Sequence, residues 1–207
     1  VIFANYTHTD TPSLLGDIGI SLARMVVAYI IGATLAWVCA VSLYKGRRAS
    51  VALPIFDVLQ SFPSYAVLPF AVLVWGPTNF TVIFFLVLTA IIWPVFFSLV
   101  SSLKLIRHDW EEAVQVADLS GWQYLKNFLF PASVPGLITG SIVGLGDGWE
   151  ALVATEIIVG VKGGMGGFFQ SFSTNSTVTA IGVLGLLLLI FTINRLVWLP
   201  LLEWSHN

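Results

Sequence analysis

The sequence predicts an all-α protein that crosses a membrane about five times. Hydrophobic residues make up 57% of the chain and charged residues only 10%, against roughly 25% charged in a soluble domain. Several apolar runs are long enough to cross a hydrocarbon core about 30 Å thick. Lys and Arg gather in alternate connections, as they do when loops take turns facing the cytoplasm.

Residues 25–44 (MVVAYIIGATLAWVCAVSLY) carry no charge. Thr11 and Pro12 offer an N-cap and a first helical position, so the first span is set at 14–44. Lys45, Arg47 and Arg48 end it. Cys39, the single cysteine, excludes an internal disulfide or a Cys-rich metal site and reads as a small core residue. The second span, 51–75, contains Pro54, Pro63 and Pro69 and is expected to kink or break. A break facing lipid would strand backbone polar groups, so it should face other helices or a water-filled path. Gly76–Asn79 is a turn.

The third span covers 80–102, with Pro94 inside. Residues 103–131 are polar by comparison. The fourth span, 132–158, holds Asp147, Glu150 and Glu156, and Gly144, Gly146 and Gly148 are expected to loosen its helix. Residues 160–178 form a Gly/Ser/Thr-rich loop with room for a short helix, and 179–202 make the fifth span. Residues 1–207 thus read as one transmembrane domain. The opening Val1 suits a fragment, a processed form or half of a longer chain, and residues 1–13 do not look like a signal peptide.

Cations fix the expected orientation. Lys45, Arg47 and Arg48 follow span one, and Lys104, Arg107 and Lys126 follow span three, whereas the turn after span two has none. This places the N-terminus outside, and the 103–131 segment and the C-terminus in the cytoplasm.

Within 103–131, Trp110, Ala113, Val114 and Ala117 recur at helical spacing, opposite Glu111, Gln115 and Asp118. Asp118 stands where a left-handed residue would close that helix. Ser120 and Gln123 fit a capping box for a second short helix that Pro131 ends. Trp122, Leu125, Phe128 and Leu129 share its face. Such a pair either lies on the membrane surface or docks a cytoplasmic partner.

The run EEAVQVADLSGWQYLKNFLFPASVPGLITG resembles the coupling-loop signature of ABC importer permeases. Glu112-Ala113-Val114 stands for Glu-Ala-Ala, and Asp118 stands where the family usually has Gly. PIFDVLQSFPSYAVLPFAVLVWG and GDGWEALVATEIIVG are similar to spans of the nitrate/sulfonate/taurine/bicarbonate branch and of a sub-branch with two units fused in one chain. The resemblance covers about residues 14–200. It implies a type I importer core that pairs with a second permease unit, as a homodimer or a fused half. It further implies cytoplasmic ABC ATPase subunits holding ATP and Mg, an external solute-binding protein, and residence in the inner membrane. The coupling residues it marks are Glu112, Ala113, Asp118, Gly121 and Trp122, with a buried Gly121 allowing close approach and Glu112 orienting the first helix. Glu156, Trp149, Pro63 and Pro69 are the candidates for the path or its gate.

Asp147, Glu150 and Glu156 would be expensive facing lipid, at roughly 2.5–3.5 kcal/mol for Asp at a helix centre, so they should face protein, a cavity or an interface; for Asp147 and Glu150 a place near the membrane edge is the alternative. Asp147 and Glu150 fall near one another on a helix, and Glu156 falls opposite Asp147. Glu156 is either one member of an ion pair or a path residue, and Arg24 on span one is a candidate partner. His8, His108 and His206 are scattered and suggest no metal site. No Gly-Lys-Ser/Thr phosphate loop occurs, so ATP and other cofactors are not expected on this chain. A net charge of −2 without basic blocks gives no sign of nucleic acid. The alternatives are an ion-coupled secondary carrier, weakened by the missing inverted repeat, and a membrane-embedded enzyme, weakened by the missing nucleophile–base pair.

Overall fold

Residues 14–206 are described by a computed structural model, except for the side chains of Glu111, Ala113, Gln115, Leu202, Trp204, Ser205 and His206. The expected helix start at Thr11–Pro12 and the tail residue His8 lie outside the described residues, as does the His206 side chain. The described chain is helical. Helix α1 covers Leu14–Leu43, α2 Gly46–Gln60 and α3 Leu68–Trp75. Helices α4 (Asn79–Leu86) and α5 (Ile92–Lys104) form one rod. Helices α6 (His108–Val116) and α7 (Gly121–Tyr124) follow, and α7 runs on into α8 (Phe130–Val159). Helix α9 is Met165–Ser171, and α10 (Ser176–Ile193) continues into α11 (Leu199–His206).

Four of these rods are long and apolar enough to cross a membrane: Leu14–Leu43, Asn79–Lys104, Gly121–Val159 and Ser176–Leu201. The proline-rich stretch joins opposite ends of the molecule. Before it, the Tyr44 hydroxyl meets that of Tyr124 at 3.4 Å, and after it Asn79 meets Arg24 at 2.9 Å. Arg24 and Tyr44 lie about 30 Å apart along α1 at 1.5 Å per residue. Residues 46–75 cover that distance as two helices separated by a 3-10 turn at Ser64–Ala66. Pro63 caps the turn and Pro69 sits in the first turn of α3, where a missing N–H is harmless.

Small residues decide how closely the rods pack. In α8, Gly136, Gly140 and Gly144 recur every four residues and form a stripe against the α4–α5 rod. A Cβ on Gly140 would sit 2.7 Å from the Val95 Cα, and one on Gly136 would sit 2.6 Å from the Ser102 Cβ. On α1, Ala28, Gly32, Ala36 and Ala40 form a second buried stripe. Lipid tails are as apolar as Leu, so close backbone approach and interhelical hydrogen bonds must hold such helices together. Trp37 donates to Ser133 at 2.9 Å, and the hydroxyls of Tyr29 and Ser141 lie 2.7 Å apart, both linking α1 to α8. In α10 only Gly182 is buried, and Leu184, Leu187, Leu188 and Phe191 are exposed.

Two sequence expectations are corrected. Pro131 does not end a helix, and the glycines around Asp147 do not unwind one, because α8 is continuous from Phe130 to Val159. Proline lacks an N–H and crowds the carbonyl four residues back. A π segment at Leu125–Leu129 precedes Pro131, with the Phe130 N–H bonding to the Leu125 carbonyl. That wider turn absorbs the crowding without breaking the rod. The same device precedes Pro94 (Val87–Ile91) and Pro200 (Asn194–Trp198). Gly144 and Gly148 admit neighbouring rods at that place, whereas Gly146 faces open space.

Candidate functional site

At the Asn79 end of the bundle, a buried polar knot joins α1, α4, α8 and the 162–166 turn. Arg24 and Glu156 form an ion pair at 2.6 Å, with side chains 5% and 0% exposed. The Arg24 guanidinium also donates to the Asn79 side chain and to the carbonyls of Gly163 (2.9 Å) and Lys162 (3.0 Å). Glu156 further accepts from the Ser21 hydroxyl at 2.9 Å and the Gly166 N–H at 2.8 Å. Ser21 accepts from the Met165 N–H, and Asp17 Oδ1 accepts from the Gly164 N–H. Gly164 has φ 102°, and a Cβ there would sit 2.5 Å from Glu156 Oε1. A buried charge is tolerable when it is paired and fully hydrogen-bonded, as Arg24 and Glu156 are; Asp17, also buried, has one carboxylate oxygen without a hydrogen-bond partner among the described residues. Sequence reasoning offered Arg24 as a partner for one of the carboxylates. It missed Asp17 and Ser21; the only signal for them was spacing that places Asp17, Ser21 and Arg24 on one face of α1.

The other two carboxylates of α8 do not join this knot. Asp147 and Glu150 are exposed on the chain and line an open cavity of about 360 Å³ with Tyr65, Thr89 and Ala151. Trp149 points elsewhere. It is buried and lines an apolar cavity of about 200 Å³ with Tyr29, Asn194 and Trp198. Pro63 and Pro69 are exposed at the break between α2 and α3. The four candidate path residues therefore do not converge on one site.

The 103–131 segment lies at the opposite end, near Tyr44 and the cationic loop. Helix α6 closes with the Leu119 N–H bonded to the Val114 carbonyl at 3.3 Å and with Asp118 left-handed at φ 49°. This is a Schellman ending with Asp in the position Gly usually fills. Ser120 stands at the N-cap of α7, but its side chain makes no capping bond, so the expected capping box does not form. Gly121 is exposed with open space around it, not buried; its φ of 54° is what calls for glycine. Glu112 is exposed and pairs with His108 at 3.2 Å, one turn back on the same helix. The Ala113 side chain is outside the described residues. Trp122 (74% exposed) leaves the face it was expected to share with Leu129, which is buried. With Trp110 and Val116 also exposed, α6 and the first turn of the Gly121–Val159 rod present large apolar side chains at this end of the bundle.

A bundle of long apolar helices with one interrupted crossing and the short helix α6 between two rods defines a polytopic membrane protein. Over residues 28–199 the chain matches the family of binding-protein-dependent transport system inner membrane components, and it belongs to that family. It is 34% identical over 151 residues to the nitrate import permease protein NrtB of Synechocystis sp., a match covering 72% of this chain and 54% of that protein. It is 27% identical over 149 residues to the bicarbonate transport system permease protein CmpB of Synechococcus elongatus, covering 72% and 53%. The taurine transport system permease protein TauC of Escherichia coli is 33% identical over 118 residues, covering 57% and 42%. The chain spans about half the length of the curated relatives it matches. Its four membrane-length helices agree with the multi-pass, inner-membrane character of that family.

Proposed function

We propose that this chain forms the membrane path of an ATP-driven importer for a small anionic or zwitterionic solute. A solute-binding protein delivers the solute at the Asn79 end. ATPase subunits dock at the opposite, cytoplasmic end through residues 108–124. A second permease unit, a homologous half or an identical copy, completes the path, and ATP and Mg are held by the ATPase. The observation that carries this reading is the 108–124 segment, a helix pair closed at a left-handed Asp118 that exposes Trp110, Val116 and Trp122. A helix pair lying on the membrane would need such residues at the headgroup level and nowhere else. An ATPase groove explains both the exposure and the tight Asp118–Gly121 turn.

In this reading Glu156 is a clasp and not a gate, because one chain's own atoms enclose it. The test is copurification of the ATPase encoded beside this chain. Trp122→Ala removes an exposed anchor, and Glu112→Lys reverses a charge and breaks the His108 pair. Each should weaken ATPase capture by about 1–3 kcal/mol, the range for losing a buried aromatic anchor or a charged hydrogen bond. Neither should reduce the amount of chain in the membrane. Capture at the level of the unmodified chain by both variants would refute this docking site.

A further inference from the structure

The clasp around Glu156 buries one carboxyl group more than its cation balances. Asp17, Arg24 and Glu156 are 6%, 5% and 1% exposed, so two carboxyl groups share a single guanidinium away from water. Glu156 takes that guanidinium at 2.6 Å. Asp17 accepts the Gly164 N–H at 2.9 Å on Oδ1, and its Oδ2 has no hydrogen-bond partner among the described residues. The elements around Asp17 bring few other charges. The turn carries Lys162, whose side chain is exposed and makes no ion pair among the described residues. Helices α4, α9 and α10 carry no charged residue. An unpaired oxygen is costlier on a buried carboxylate than on a buried neutral acid.

The 162–166 turn is tied down by these same groups. Three successive N–H groups, those of Gly164, Met165 and Gly166, donate to Asp17, Ser21 and Glu156. The carbonyls of Lys162 and Gly163 accept from Arg24. Lifting the turn breaks these bonds together. Asp17 also lies seven residues before Arg24, about 10 Å further along α1. That is beyond the uncharged run that starts at Met25.

We propose that Asp17 holds a proton while this turn is closed and gives it to water at the Asn79 end when the turn lifts, so that the clasp is a proton-operated latch. In the open turn Asp17 meets water and ionises at about 3.9. Above that value the closed form binds one proton more than the open form. Each further pH unit therefore shifts the balance tenfold towards the open turn, until the closed form also ionises. Low pH closes the latch and rising pH loosens it. The latch goes beyond the importer reading and does not depend on it.

The test is hydrogen exchange of the full chain in lipid nanodiscs, read by peptide mass spectrometry from roughly pH 5 to pH 8 and corrected for the intrinsic exchange rate at each pH. The Gly164, Met165 and Gly166 amides should lose protection by about tenfold per pH unit over part of that range. Core amides of α5 between Val95 and Leu103 should keep theirs. Asp17→Asn and Asp17→Ser keep a neutral acceptor for the Gly164 N–H and cannot ionise, so their protection at the turn should stay flat with pH. A flat profile in the unmodified chain would overturn the proposal without any variant. So would a fall that persists in either neutral variant, or an equal fall in α5. Exchange needs neither ATPase nor binding protein, so failure here is distinct from failure of the importer reading.

Discussion

The glycine stripe of α8 makes a sharp prediction, because the same helix carries its own control. Gly140 and Gly146 lie six residues apart on α8. A Cβ on Gly140 would meet the Val95 Cα at 2.7 Å, the Pro94 carbonyl oxygen at 2.9 Å and the Ser98 Cβ at 3.0 Å, whereas a Cβ on Gly146 meets nothing within 4 Å. Carbon atoms pack best at about 3.5–4.0 Å, so Gly140→Ala must push α5 and α8 apart by roughly 1 Å. A gap of that size forfeits about a quarter to a half of the attraction for each atom pair along the seam. Overpacking of this kind costs typically about 1–3 kcal/mol. Both substitutions gain the same helix propensity, about 1 kcal/mol, so their difference isolates the clash. The assay is a heat challenge of the detergent-purified chain, followed by size-exclusion chromatography of the fraction still folded. Gly140→Ala should lose folded protein at a lower temperature than the unmodified chain or Gly146→Ala. Equal thermal stability of the two variants would refute the claim that this stripe sets the approach of α5 and α8.

Other perturbations probe separate parts of the structure. Glu156→Gln leaves the Arg24 guanidinium buried without its counter-charge, at a cost of about 3–5 kcal/mol, and should reduce folded yield; Arg24→Gln/Glu156→Gln should recover part of it, measured as detergent-extractable protein. A single variant with normal yield and impaired transport would instead favour a path role for Glu156. In a Cys39→Ala background, single cysteines at Ser50 and Gln115 should resist membrane-impermeant maleimide on intact cells, while those at Thr78 and Ser173 should react. Reaction at Gln115 would invert the orientation and place the helix pair away from any ATPase.

Much of the architecture was legible in the sequence because the bilayer restricts the answers to long apolar helices. The runs 80–102 and 132–158 fall within membrane-length rods, and 25–44 and 179–202 match such rods to within one residue. The interruption of the second crossing was legible from Pro63 and Pro69, which leave backbone groups that a regular helix cannot satisfy. The left-handed turn at Asp118 followed from its place at the end of an amphipathic stretch. What the sequence hid depends on geometry between segments. Pro131 looked terminal because a proline's effect depends on the turn before it, and periodicity does not reveal a π segment. Gly121 looked crowded, yet its requirement is a positive φ in open space. The partners of Glu156 come from residues far away in the chain, Ser21 and Arg24, and from backbone N–H and C=O groups that carry no side-chain signature.

The central claim is that this chain couples ATP hydrolysis on a partner to passage of solute through its own helices. The most direct measurement is ATP hydrolysis by proteoliposomes containing the full permease, its ATPase and the adjacent solute-binding protein, with and without bound solute. Hydrolysis should rise when loaded binding protein is added on the Asn79 side, and Glu112→Lys should blunt that rise. Solute uptake that proceeds at full rate without the ATPase, or hydrolysis indifferent to loaded binding protein, would contradict the account.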